Sequence, residues 1–279
     1  MPRTPLIGTL TEDLTLTAGS FIVTIYGDIV VPRGEVLWMG SLIEICARLD
    51  ISENLVRTAV SRLVSADRLE GERVGRRSYY RLAPSARAEF ADAARLLYAP
   101  RDRANKWLLV FDADLPEDQA RRARMAKVAP GLWISPDRAD LPATHAPILR
   151  AEPVAGIDRL SELARFWDMD ELHSRYRAML DRFRPLADRL DDITPEDALI
   201  ARLLLVHVYR SVVLRDPGLP EAALPEDWPG TEAQRLFRQL YLALSSNADR
   251  QIAAMMEGEA GPLSATTDRT TARLAALTT

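Results

Sequence analysis

The chain has 279 residues, 47% of them hydrophobic and 27% charged, with a formal net charge of -4. That length gives two or three domains room to bury separate cores, and the composition excludes an intrinsically disordered chain. The slightly acidic balance also excludes a general polyanion binder, so any affinity for nucleic acid must reside in a local basic patch.

A single cysteine, Cys46, excludes an internal disulfide, and within IEICARL it reads as a small buried hydrophobe. The first residues lack a secretory leader pattern and no apolar run reaches membrane-spanning length. The expectation is therefore a cytoplasmic protein with no membrane partner.

Residues 1 to about 18, rich in threonine and proline, read as a mobile tail. Phe21 to Val31 is apolar and β-branched enough for a strand, but a helix stopped by Pro32 and Gly34 is what the following segment calls for. Glu35 to Leu49 carries Leu37, Trp38, Leu42, Ile45, Cys46 and Leu49 near helical spacing and predicts a second helix, with a turn at Asp50 and Ile51.

Ser52 is a candidate N-cap whose hydroxyl would accept from a first-turn amide, and Glu53 suits the positive end of the helix. Leu55, Val56, Ala59, Val60, Leu63 and Val64 then recur as a stripe to be buried. The opposite face carries Asn54, Arg57, Thr58, Ser61 and Arg62, side chains able to donate to phosphate oxygens or to base edges in a major groove.

From Leu69 to Leu82 the chain alternates and turns, with Gly71 and Gly75 allowing positive φ, and reads as a hairpin with a cationic tip. Between Arg57 and Arg81 there are seven arginines against Asp67, Glu70 and Glu72. Arg76, Arg77 and Tyr79 are the candidate wing contacts. Helix, short connection, helix and basic hairpin in that order predict a winged helix-turn-helix over residues 19–84 that binds double-stranded operator DNA.

Ser85 to Tyr98 predicts a linker helix, extended here to residue 105. KWLLVFDADLP, an arginine-rich helix from Glu117 to about Val128, the strand LWIS and a further strand at Ala146 to Ala151 predict a ferredoxin-like α+β domain over 106–155. Asp112 and Asp114, at the first strand's end, admit a metal-dependent nuclease as the alternative function, but two carboxylates alone do not supply a metal site. No nucleophile pair or phosphate loop of known spacing occurs, so no enzyme, no metal and no cofactor are expected.

Residues 156–257 read as a helical domain. Thr194, Pro195 and Glu196 start a largely apolar helix, a proline-punctuated loop runs from Asp216 to Gly230, a last helix spans Glu232 to about Met256, and the polar remainder reads as loose. His207 reads as a satisfied core histidine.

The stretches SFIVTIYGDIVVPRGEVLWMGSLIEI, NLVRTAVSRLVSADRLEGERVGRRSYYRL, KWLLVFDADLP with GLWISP, and VLRDPGLPEAALPEDWPG resemble the PaaX family of bacterial transcriptional repressors, which control phenylacetate degradation genes. The resemblance covers nearly all of Ser20 to Leu242. It implies the same three-part architecture, a homodimer on a palindromic promoter site, and release by phenylacetyl-CoA, with a regulator of another acyl-CoA pathway as the variant reading. Such a thioester needs cationic donors for its phosphates and an apolar seat for its acyl group. Arg175, Arg202, Arg210, Arg215, Trp167, Tyr176 and Trp228 are the candidate effector contacts in 156–257, which would also carry dimerisation.

Overall fold

In the computed structural model, which describes residues 3–100, 106–138 and 145–278, the amino-terminal segment is not a loose tail. The Thr4 hydroxyl accepts from the Ile7 amide and starts a short helix α1 (Pro5–Thr11), whose Ile7 and Leu10 are buried. Thr17 caps α2 (Ala18–Ile25) in the same way. Burial beyond it follows a helical period: Phe21, Ile22, Ile25, Tyr26, Ile29 and Val30 are all at most 1% exposed. That spacing is why the segment is a helix although its residues favour strands.

The helix widens into a π turn over Tyr26–Val30, tightens to a 3-10 turn over Val31–Arg33, and stops at Gly34, whose φ of +101° is left-handed territory. The second expected helix begins later than the sequence suggested. Val36–Trp38 is a strand, β1, and only Met39–Ala47 is helical, as α3, because those first three residues are claimed by pairing with a later strand. Asp50, at φ +58°, makes the turn into α4 (Glu53–Ser65). β2 (Leu69–Val74) and β3 (Arg77–Leu82) complete an antiparallel sheet of order β1-β3-β2, with Tyr79 between Trp38 and Glu72. α5 (Arg87–Tyr98) follows.

β4 (Trp107–Phe111) leads to α6, which covers Glu117–Arg122 only. The expected extension to Val128 fails because Arg124 takes a left-handed conformation and Ala126–Ala129 pairs as β5. β6 (Leu132–Pro136) and β7 (Ile148–Ala151) complete a second antiparallel sheet of order β5-β6-β4-β7. Ala120 of α6 packs on Val110 and Trp133. Ile157–Phe166 is 3-10 rather than α-helical.

Long helices follow: α7 (Met169–Ala187), α8 (Pro195–Val213), whose first turn is capped by Thr194, and α9 (Gly230–Met255). The polar remainder is ordered, contrary to expectation. β8 (Glu257–Gly258) and β9 (Gly261–Pro262) form a small hairpin, and α10 (Asp268–Thr278) buries Thr270 and Leu277.

The chain thus mixes α and β structure and packs as two compact units. One comprises Met1–Pro100, Met179–Arg210 and Gln234–Thr279; the other comprises Arg101–Ala178 and Ser211–Ala233. The helices expected to form a separate carboxy-terminal domain are shared between the two.

Within the first unit a buried charge network joins segments far apart in sequence. Asp28, in the π turn, accepts from Tyr98 (3.0 Å), Tyr241 (2.8 Å), Arg202 (3.1 Å) and Arg273 (3.2 Å). Arg202 and Arg33 also donate to Asp249 at 2.7 and 2.6 Å. Arg273 donates as well to the Gly27 and Asp28 carbonyls, which the widened turn presents to it. Burial by itself would raise the Asp28 carboxyl, but Arg202 and Arg273 beside it hold it below the usual carboxylate range.

Candidate nucleic-acid interface

α4 buries one face through Val56, Ala59 and Val60, while Asn54, Arg57, Thr58, Ser61 and Arg62 are all exposed. The expected stripe is narrower than its spacing suggested: Leu55 is 57% and Val64 39% exposed. Ser52 stands at the cap position with extended backbone, yet its hydroxyl makes no capping bond. Arg57 lies along the helix surface, its Nε donating to Glu53 at 2.8 Å.

The hairpin β2–β3 turns through Gly75, at φ +61°, and Arg76. Gly71 is not at positive φ. It is small because a Cβ there would meet the Tyr80 ring at 2.8 Å. Arg77 and Arg81 share a face of β3, both part-exposed. Arg77 stacks over the Trp38 ring at 4.4 Å and ion-pairs with Glu257, while Arg81 pairs with Glu72 at 2.7 Å. Hydrogen bonds to Tyr79 and then to Glu257 push the Arg77 guanidinium up. Tyr79 is buried at 8% exposure, since β3 is the central strand and its neighbours cover that ring. As a wing contact it is poorly placed; Arg76, exposed at the turn, is better placed.

Asp112 uses its carboxylate to accept from the Asp114 amide, a local turn. Among the described residues no group of three His, Cys, Asp or Glu side chains could hold a metal ion. Cys46 is fully buried, which pushes its thiol up to about 12 and leaves it protonated. His207 Nδ1 lies 3.0 Å from the Thr24 hydroxyl, and burial, then Arg210, pushes its imidazole down to about 4. No helix among the described residues is long and apolar enough to cross a membrane.

Residues 17–86, which hold α2 to β3, match the PaaX-like protein family, and residues 167–254 match the PaaX-like protein C-terminal domain. The chain is also 32% identical over 274 residues to the Transcriptional repressor PaaX of Escherichia coli (strain K12), covering 88% of this chain and 86% of that protein. The chain belongs to the PaaX family. That relative is a transcriptional repressor, a regulator rather than an enzyme. The first PaaX match ends at Ala86, just past the basic hairpin, so it contains every DNA-contact candidate.

The second match contains all the effector candidates. Five fall in the second unit and two, Arg202 and Arg210, in the first. Arg202 is 1% exposed and committed to Asp28 and Asp249. Tyr176, fully buried, donates to Asp216 at 2.6 Å and meets the edge of Trp228. A Cβ at Gly230 would lie 2.4 Å from the Trp228 ring nitrogen, so the end of the proline loop is closed on this pair. Trp167 donates to the Arg124 carbonyl and Arg175 to Glu171, while Arg210 donates to the Ser20 carbonyl and Arg215 to that of Ser211. The sequence missed a structural role for arginines: Arg33, Arg202 and Arg273 serve the Asp28 and Asp249 carboxylates, which lie 47 to 245 positions away.

Proposed function

We propose that this PaaX-family chain represses transcription by binding double-stranded operator DNA through a winged helix-turn-helix: α4 enters the major groove and the β2–β3 hairpin lies on the backbone. The observation carrying this reading is the five-residue polar face of α4, exposed opposite Val56, Ala59 and Val60 and followed by the cationic hairpin. Asn54, Arg57, Thr58, Ser61 and Arg62 read bases or flanking phosphates, and Arg76 and Arg77 hold phosphates. Two copies form a homodimer in the cytoplasm, spacing their α4 helices by about 34 to 36 Å, one turn of the duplex, or a multiple of it.

The order β5-β6-β4-β7, with antiparallel neighbours, supports a ferredoxin-like second unit. The effector is an acyl-CoA, phenylacetyl-CoA by family resemblance, and the controlled genes serve phenylacetate catabolism. Release requires that the thioester bind the DNA-free arrangement more tightly than the DNA-bound one.

Titration of the chain's own promoter fragment at fixed salt, with and without phenylacetyl-CoA, tests this reading. Arg57→Ala should lose about 1 to 3 kcal/mol of discrimination between promoter and random duplex, whereas Arg77→Ala should weaken both alike. Parent-like binding by both variants would refute the interface, and undiminished binding with saturating thioester would refute the effector.

A further inference from the structure

The β8–β9 hairpin lies beside the wing. Its seat does not depend on its carboxylates: the Glu257 amide donates to the buried Ser41 hydroxyl of α3 at 2.9 Å, and Met256 and Leu263 are buried on either side. Gly258 runs so close to β1 that a Cβ would stand 3.1 Å from the Val36 carbonyl. Backbone and apolar contacts thus fix the hairpin and leave two acidic side chains for another task.

Those side chains face the wing. Glu257 ion-pairs with Arg77, and Glu259 lies 3.6 Å from Arg81, whose nearer partner is Glu72 of β2 at 2.7 Å. Arg77 and Arg81 sit two positions either side of Tyr79 and share its face of β3; Tyr79 is buried between them, but both guanidinium groups are part-exposed, within reach of a sugar-phosphate backbone. A carboxylate and a phosphate oxygen ask the same thing of a guanidinium, and one guanidinium fork cannot fully serve both.

We infer that the β8–β9 hairpin is an acidic strap that occupies the wing arginines and competes with DNA phosphates for them, lowering affinity for all duplexes alike. This rests on the DNA-binding reading above. Binding must break the Arg77–Glu257 pair and draw Arg81 away from Glu259, while Glu72 keeps its own hold on Arg81, so part of the wing's attraction for DNA is spent inside the protein. The released carboxylates also take up cations, which offsets some of the counterions shed by the duplex and flattens the salt dependence. The base-reading face of α4 is untouched, so sequence preference is unaffected.

The test is fluorescence-anisotropy titration of a labelled mixed-sequence duplex with full-length protein across a salt series. Glu257→Gln with Glu259→Gln keeps side-chain shape and the hairpin's seat. It should bind about three- to tenfold more tightly, as expected for releasing two part-exposed ion pairs, and with a steeper salt slope. In an Arg77→Ala, Arg81→Ala background the same pair of changes should gain well under half as much. An unchanged or weaker affinity, or a gain that persists in full without the arginines, would overturn the strap. If removing the arginines alone leaves affinity at the parent's value, the wing reading fails instead, and the two results are told apart within one set of titrations.

Discussion

Replacing Asp28 by asparagine is a demanding test of how the first unit is held together. The side chain is wholly buried, and its two oxygens accept from Tyr98, Tyr241, Arg202 and Arg273 at 2.8 to 3.2 Å. An amide keeps the shape and one acceptor but presents an NH2 group to donors on the other side, whichever way it is turned. The network of Arg33, Arg202 and Arg273 against Asp28 and Asp249 carries one net positive charge; without Asp28 it carries two. Breaking a buried pair by removing one partner costs about 3 to 5 kcal/mol, a fifth or more of a typical domain's stability of about 5 to 15 kcal/mol. In urea unfolding followed by circular dichroism, with a slope of about 2 kcal/mol per molar, the midpoint should fall by about 1.5 to 2.5 M. Adding Arg202→Met restores the parent's net buried charge and should recover part of the loss. A midpoint shift of less than about 0.5 M for Asp28→Asn would show that the network contributes little and refute the argument.

His207 predicts an acid sensitivity of its own. Its folded value of about 4 lies below the ordinary 6.5, so the unfolded chain binds the proton first; stability is full above pH 6.5 and falls as pH drops toward 4, by up to about 3 kcal/mol. Thermal melts of His207→Gln should decline less steeply across that window, and equal slopes would show that the imidazole is not responsible. At Gly34 an added methyl meets open space, so Gly34→Ala isolates the backbone strain of a φ of +101° and should cost about 1 to 2 kcal/mol in the same urea assay; a neutral result would mean the turn after α2 relaxes freely.

What could be read from the sequence was what is local. α4 with its hairpin follows from capping position, amphipathicity and turn residues, whereas Phe21 to Val31 admitted a strand and was read as a helix only from the helix-turn-helix that follows and the stop at Pro32 and Gly34. β1 was read into a helix because three residues show no period, and only pairing of Leu37 with Tyr80 makes them a strand. Tyr79 looked like a contact because alternation placed it beside Arg77 and Arg81, but alternation does not say that β3 is central and covered. Arg202 and Tyr176 looked available to an anionic ligand because arginine and tyrosine are usually exposed at a polar tip. Asp28 and Asp216, which engage them, lie 174 and 40 positions away. Residues 257–278 looked loose because they are polar, yet Arg273 reaches Asp28 and Arg33 donates to the Ser264 carbonyl.

That last contact bears on how the molecule is made. Asp28 emerges from the ribosome early, and the guanidinium of Arg273 follows 245 positions later. Arg202 comes 174 positions after Asp28, and until both guanidinium groups exist the buried carboxylate lacks the charges that hold it ionised, so the final packing around it must wait for segments far along the chain. A fragment of the first hundred residues keeps Asp28 and Tyr98 but lacks Arg202, Tyr241 and Arg273, so it should fold less stably than the full-length protein.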